Sequence, residues 1–241
     1  MTIATDPTPL TPFAGFSPDG VQFLADLAEH NDRAWFQPRK AEFDRLLKEP
    51  LAALCVALEE RFAAGGVPLH ADPAKSPFRI YRDVRFSKDK SPYKTNIGAS
   101  FAYVERDADG TAKLESGRRG GGYFHLSPGE IFVGGGMWHP EPGPLGAWRR
   151  LVVENNGAVH AAIDDPAFVS RFGNVGGDRA KRIPGGYPSD HPDAALLTLK
   201  DVTFGRRLDD REVFSPDLPD ILADDLATAV PLLRLLASLT G

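Results

Sequence analysis

Cysteine is almost missing from this 241-residue chain: Cys55 stands alone. That excludes an intramolecular disulfide and a thiolate zinc cluster. Long apolar runs are missing too, and nothing approaches the roughly 20 residues that a membrane helix needs. No membrane partner is therefore expected. The opening MTIATDPTPLTP has neither a basic start nor an apolar stretch of leader length, so the expected location is cytoplasmic. An excess of basic charge is lacking as well. The formal net charge is −5, which argues against a chain coated with nucleic acid. What remains is an ordinary globular mixture, 42% apolar and 25% charged. A chain this long can bury a core that needs no staple.

Periodicity gives the organisation. Residues 1–12 read as a flexible tail, and 13–241 as a single α+β domain. Ser17 and Pro18 cap and open a first helix, which His30-Asn31-Asp32 breaks. A second helix is expected over Arg39–Lys48, and a third from Pro50 to the Gly65-Gly66 stop. The period then changes to two. Phe78–Phe86 (FRIYRDVRF) alternates apolar and polar residues like a half-buried strand. Asn96–Glu105, Gly122–Leu126 and Glu130–Gly134 read as further strands, with a turn at Asp109-Gly110. Helices return at Gly143–Glu154 and Ala158–Phe172. After a Gly/Pro-rich loop, Leu199–Arg206 reads as a last strand. Ser215 caps a C-terminal helix that Pro231 should kink or divide. Strands in the middle with helices on either side imply a central, mostly antiparallel sheet.

Charge collects in one place. Lys75–Lys94 holds seven basic and two acidic residues inside an acidic chain. Local reversal of this size favours an anionic partner. Strand alternation would put Arg79, Tyr81, Asp83 and Arg85 on one face, where two guanidiniums can grip a carboxylate or phosphate. Arg82 falls on the apolar face, so either a bulge re-aims it or an acid meets it. Lys88, Lys90 and Lys94 add ammonium groups nearby.

A second cluster lies in Gly117–Pro140. There Tyr123 and His125 share a strand face, two glycine triplets flank the hairpin, and Trp138 and His139 follow. The glycines either offer amides to an anion or let the backbone pack closely. His125 and Tyr81 are the candidate catalytic groups. Arg79, Arg82, Arg85, Lys88, Lys90, Lys94, Tyr123 and Trp138 are the candidate ligand-binding residues. His125 and His139 could approach each other across the hairpin. No histidine pair has HExxH or HxH spacing, no serine lies in GxSxG, and neither glycine run fits a dinucleotide fingerprint or P-loop. No metal site is expected and no cofactor is implied. Cys55 reads as core.

Three stretches in this order carry a resemblance: FRIYRDVRFSKDKSPYK, GGGYFHLSPGEIFVGGGMW and KRIPGGYPSDHP. With the opening FSPDGVQFLADLAEHNDRAWFQPRK, they resemble a bacterial family known as domain of unknown function 2461. The resemblance implies a single α+β domain and assigns no catalytic residue. The residues themselves point first to a pocket for a phosphate- or carboxylate-bearing small molecule. A structural or partner-binding protein with its arginines in internal ion pairs is the alternative. A single-strand nucleic-acid binder comes third, because basic residues interleave with Phe78, Tyr81, Phe86 and Tyr93.

Overall fold

The computed structural model describes residues 11–85, 87–106, 112–113 and 120–239. Most of the expected tail, the Asp109-Gly110 turn and Phe86 lie outside the described residues.

The first helix, α1 (Pro18–Glu29), starts where the sequence implies: Ser17 Oγ accepts from Gly20 N–H at 3.2 Å. The second, α2 (Arg33–Phe43), begins earlier than expected. Asp32 caps it by accepting from Trp35 N–H at 2.9 Å, and Pro38 sits inside it. Proline costs a helix one backbone hydrogen bond, but Phe36 and Phe43 are buried on either side of it and hold the helix through. A π-helical turn (Asp44–Lys48) joins α2 directly to α3 (Glu49–Ala64).

The strands follow as β1 (Leu69–His70), β2 (Ile97–Tyr103), the short β3 (Glu105–Arg106) and β4 (Ala112–Lys113), β5 (Gly121–Ser127) and β6 (Glu130–Met137). Then come α4 (Pro142–Glu154), α5 (Asn156–Ile163), α6 (Pro166–Phe172) and α7 (Ala194–Leu197). The chain ends with β7 (Val202–Arg207), α8 (Asp210–Val213), α9 (Leu218–Thr228) and α10 (Val230–Ala237). The helix expected over Ala158–Phe172 is two, because Asp165 caps a new start before Pro166. The C-terminal helix begins at Leu218, with Pro219 in its first turn. Ser215 Oγ instead accepts from Asp217 N–H. The helix breaks before Pro231, as expected.

Five strands form one antiparallel sheet in the order β1-β2-β5-β6-β7. The fold is therefore α+β, with helices from both ends of the chain packed on an antiparallel sheet. One sheet face carries the core. Phe124 stacks on Phe16 at 5.7 Å, Phe101 meets Phe62, and Phe204 meets Phe168 and Phe172. Cys55 is buried there, and burial pushes its thiol up to about 12.

Over its described residues, 78–85, the strand expected at Phe78–Phe86 does not form. Residues 76–82 run extended beside β2 but make only isolated bridges, Pro77↔Ala99 and Tyr81↔Tyr93. Phe78 N–H reaches the Gly98 carbonyl at 2.8 Å, but Ile80 and Arg82 bond instead to the returning arm at Lys94 and Pro92. The partner changes midway, and Pro77 and Pro92 have no N–H to give. Alternation therefore fails. Phe78 and Tyr81 are exposed, while Ile80 is buried. The anchor of this excursion is Tyr93, stacked on Phe36 at 4.1 Å. Asn31 holds it from both sides, donating to the Tyr93 carbonyl and accepting its N–H, each at 3.0 Å.

Candidate functional site: the open face of the sheet

The register aligns side chains in rows across β2, β5, β6 and β7. One row is Gly98, His125, Phe132 and Arg207; the next is Ser100, Tyr123, Gly134 and Gly205. Beyond it lie Ala102, Gly121, Gly136 and Thr203. This is the face turned away from the helices. Ser100, Ala102, Gly205 and Arg207 are exposed, and Tyr123, His125 and Phe132 are half-buried. The glycines that leave it so bare are demanded by the backbone. Gly136 has φ +113°, and a Cβ on Gly134 or Gly135 would strike a carbonyl of the neighbouring strand. Both glycine runs lie within the ladder, with Gly121↔Gly136 and Gly122↔Gly135 paired. Close backbone packing therefore accounts for them.

Alternation along β5 sets Tyr123, His125 and Ser127 side by side. Tyr123 Oη lies 3.1 Å from His125 Nδ1, and His125 Nε2 lies 3.1 Å from Ser127 Oγ. The imidazole stacks on Phe132 at 4.8 Å. Burial lowers the His125 pKa and raises that of Tyr123, so both favour their neutral forms. Sequence periodicity placed Tyr123 and His125 together but missed Ser127, although it shares their spacing.

The basic segment borders this face at one end. Phe78 packs 5.9 Å from Tyr123, and Lys94 Nζ sits 5.0 Å from the Phe78 ring centre. The seven segment cations divide, Lys75 pairing with Asp72 at 3.3 Å. Arg82 pairs with Asp89, whose carboxyl is held well below the usual range by Ser91 first and Arg82 after it. Arg85 Nη2 pairs with Asp83 at 2.6 Å, and its side chain is the main reason that carboxyl falls to about 2. Lys90 donates to the Val84 carbonyl at 2.9 Å. Among the described residues, Arg79, Lys88 and Lys94 enter no ion pair. Lys94 is lowered by burial first and by repulsion from Arg79 second.

Other predicted residues lie elsewhere. Tyr81 is exposed and packs on Tyr93, not near His125. Trp138 and His139 follow the far end of β6, so His139 does not meet His125. His139 instead has φ +48° and pairs with the buried Asp201, whose Oδ1 accepts its N–H at 2.6 Å and lies 3.1 Å from Nδ1. Trp138 stacks on that imidazole at 4.0 Å and is 73% exposed.

Two features escaped the sequence. A cavity of about 220 Å³ lies between α1 and α2, lined by Phe23, Trp35, Arg39 and the acids Asp19, Asp26 and Glu42. Arg39 already lies over Trp35 there, at 4.6 Å. On the helix side of the sheet, Arg206 reaches the fully buried Asp225 of α9 at 2.6 Å and Glu212 at 2.6 Å. Asp225 Oδ1 also lies 2.8 Å from Arg171 Nη1. This network ties β7 to α6, α8 and α9. Among the described residues, no three of His, Cys, Asp and Glu are grouped to hold a metal ion, and no helix is long and apolar enough to cross a membrane.

An antiparallel sheet with helices on one face and a bare, glycine-rich second face defines an α+β protein class. The chain belongs to the family described as Conserved hypothetical protein (DUF2461), which matches residues 19–234. No curated protein and no solved structure matches it.

Proposed function

We propose that this protein binds a small phosphate- or carboxylate-bearing molecule where Arg79 and Lys94 meet the open sheet face at Tyr123 and His125, acting in the cytoplasm. One observation carries the reading. Among the described residues, Arg79 and Lys94, whose charges repel, form no ion pair, and the Asp83 carboxylate that Arg79 does feel is already paired to Arg85. An anion between them would relieve that repulsion and the desolvation of Lys94 together. Charge-assisted hydrogen bonds of this kind contribute about 1.5–3 kcal/mol each. Lys88 and Lys90 would act as a surrounding field that raises the local anion concentration, while Arg82 and Arg85 are neutralised by Asp89 and Asp83.

A thermal-shift panel of inorganic phosphate, citrate, AMP and glucose 6-phosphate tests this. A ligand at about a hundredfold excess over its Kd stabilises by about 2.7 kcal/mol. Arg79→Ala and Lys94→Ala should each abolish the shift. A panel that moves nothing refutes the reading.

A second reading has its own observation, the ion pairs of Arg82 with Asp89 and Arg85 with Asp83. In that reading the arginines only brace the excursion. Arg82→Ala would then loosen residues 77–93 while leaving anion binding untouched or absent. Binding of single-stranded nucleic acid would announce itself by a steep salt dependence, which a single small anion lacks.

A further inference from the structure

The hydrogen-bond chain on β5 satisfies all three of its contacts together in one direction. Ser127 Oγ has a single proton and gives it to the Glu130 carbonyl at 3.1 Å. It must therefore accept from His125 Nε2. Nε2 thus carries the imidazole proton, and in the neutral ring Nδ1 is a bare lone pair. Among the described residues, the group facing that lone pair is the Tyr123 hydroxyl, which donates to it. The phenol proton is thereby committed inward. The outward lone pairs of Oη are left to accept.

We propose that Tyr123 is the proton-accepting catalytic residue of an active site on this face, with His125 taking up its displaced proton and Ser127 positioning the imidazole. The substrate class is the anion held by Arg79 and Lys94, provided it carries an acidic hydroxyl or a C–H beside a carbonyl; the inference rests on the binding reading above. In the step, the substrate X–H bond breaks and its electron pair stays on the substrate. A new O–H bond forms at Tyr123 Oη as the old one passes its proton to His125 Nδ1. His125 becomes an imidazolium whose Nε2–H still rests on Ser127. The developing negative charge on the substrate would be met by Lys94, whose Nζ lies 5.0 Å from the Phe78 ring that packs on Tyr123, and by Arg79.

Two measurements on the full chain test this. Nitrogen-15 NMR of the His125 side chain should report a protonated Nε2 and a bare Nδ1; the opposite tautomer overturns the proposal. Acetylation by N-acetylimidazole, read residue by residue by mass spectrometry, should label Tyr123 about tenfold faster than the more exposed Tyr81, because only Tyr123 has a base to take its proton. Ser127→Ala frees the imidazole to turn its proton to Nδ1 and should cancel that advantage while the folded state persists. Labelling of Tyr123 no faster than Tyr81, or unchanged by Ser127→Ala, overturns the relay. Inorganic phosphate should slow the labelling, and Arg79→Ala should remove that protection. Fast labelling without phosphate protection overturns the shared active site and is distinct from a failed relay.

Discussion

Tyr123 Oη occupies the space where a side chain on Gly98 would begin: a Cβ there would stand 2.8 Å from the phenol oxygen and 2.8 Å from the Phe124 carbonyl. The glycine is thus part of the site. Gly98→Ala should push the phenol off His125 and overpack the strand pair. The expected cost is about 1–3 kcal/mol, and the His125 Nδ1 resonance should move as its hydrogen bond is lost. Urea unfolding and NMR of the variant check both; an unchanged resonance would show that the ring has room elsewhere.

Arg206 stands on the helix-facing side of β7, where its row neighbours Val133 and Phe124 are apolar, and it is tolerable there because Asp225 and Glu212 meet it. Burial pushes the Asp225 carboxyl up while Arg206 and Arg171 pull it down. Removing the acid strands a guanidinium. Asp225→Ala should cost about 3–5 kcal/mol, lowering the Tm by roughly 6–20 °C for a chain of this size. A calorimetric loss much below that would mean that Glu212 alone suffices.

His160 bridges two acids, Asp164 at 2.8 Å from Nδ1 and Asp193 at 3.0 Å from Nε2. Both ring nitrogens can donate only in the imidazolium. Asp164 first and Asp193 second raise its pKa above the ordinary 6.5. A raised folded-state value gives stability that is complete below the unfolded pKa and is lost as pH rises through the folded one. The clasp between α5 and the start of α7 should therefore loosen on the alkaline side. Hydrogen exchange in Ala194–Leu197 should quicken there, and His160→Gln should flatten the dependence. Exchange that slows with rising pH, once corrected for the intrinsic base catalysis, would contradict it.

The left-handed backbone at His139 is held from outside. Asp201 takes the His139 N–H, and its other oxygen lies 3.4 Å from Asp178 N. His139→Gly should preserve this geometry at little cost, since glycine accepts positive φ. Asp201→Ala leaves buried N–H groups unpaired and should cost about 1–3 kcal/mol. Equal losses in the two variants would show that the imidazole, not the carboxylate, holds the turn.

Local chemistry was legible where it acts alone. Ser17, Pro18, Gly65 and Pro231 mark real boundaries because caps and breakers need only their neighbours in sequence. The alternation in YFHLS placed Tyr123 and His125 on one face because β5 has a regular partner on each side. FRIYRDVRF has the same alternation but not the same partners. Its ladder changes hands at Ile80, so period two in the sequence has no sheet to read it. The sorting of the cations was equally hidden. Arg82 finds Asp89 only because the excursion folds back, and His139 finds Asp201 from 62 positions away. No spacing rule reaches that far.

Anion binding on this face requires Arg79 and Lys94 to share one anion. Side-chain NMR of the Arg79 Nε–H and the Lys94 Nζ during a phosphate titration tests it most directly. Both resonances should shift together and saturate at one Kd, with Lys94 gaining a proton at alkaline pH as its lowered pKa recovers. Signals that stay still to the end of the titration, or that move without saturating, would contradict a built anion site.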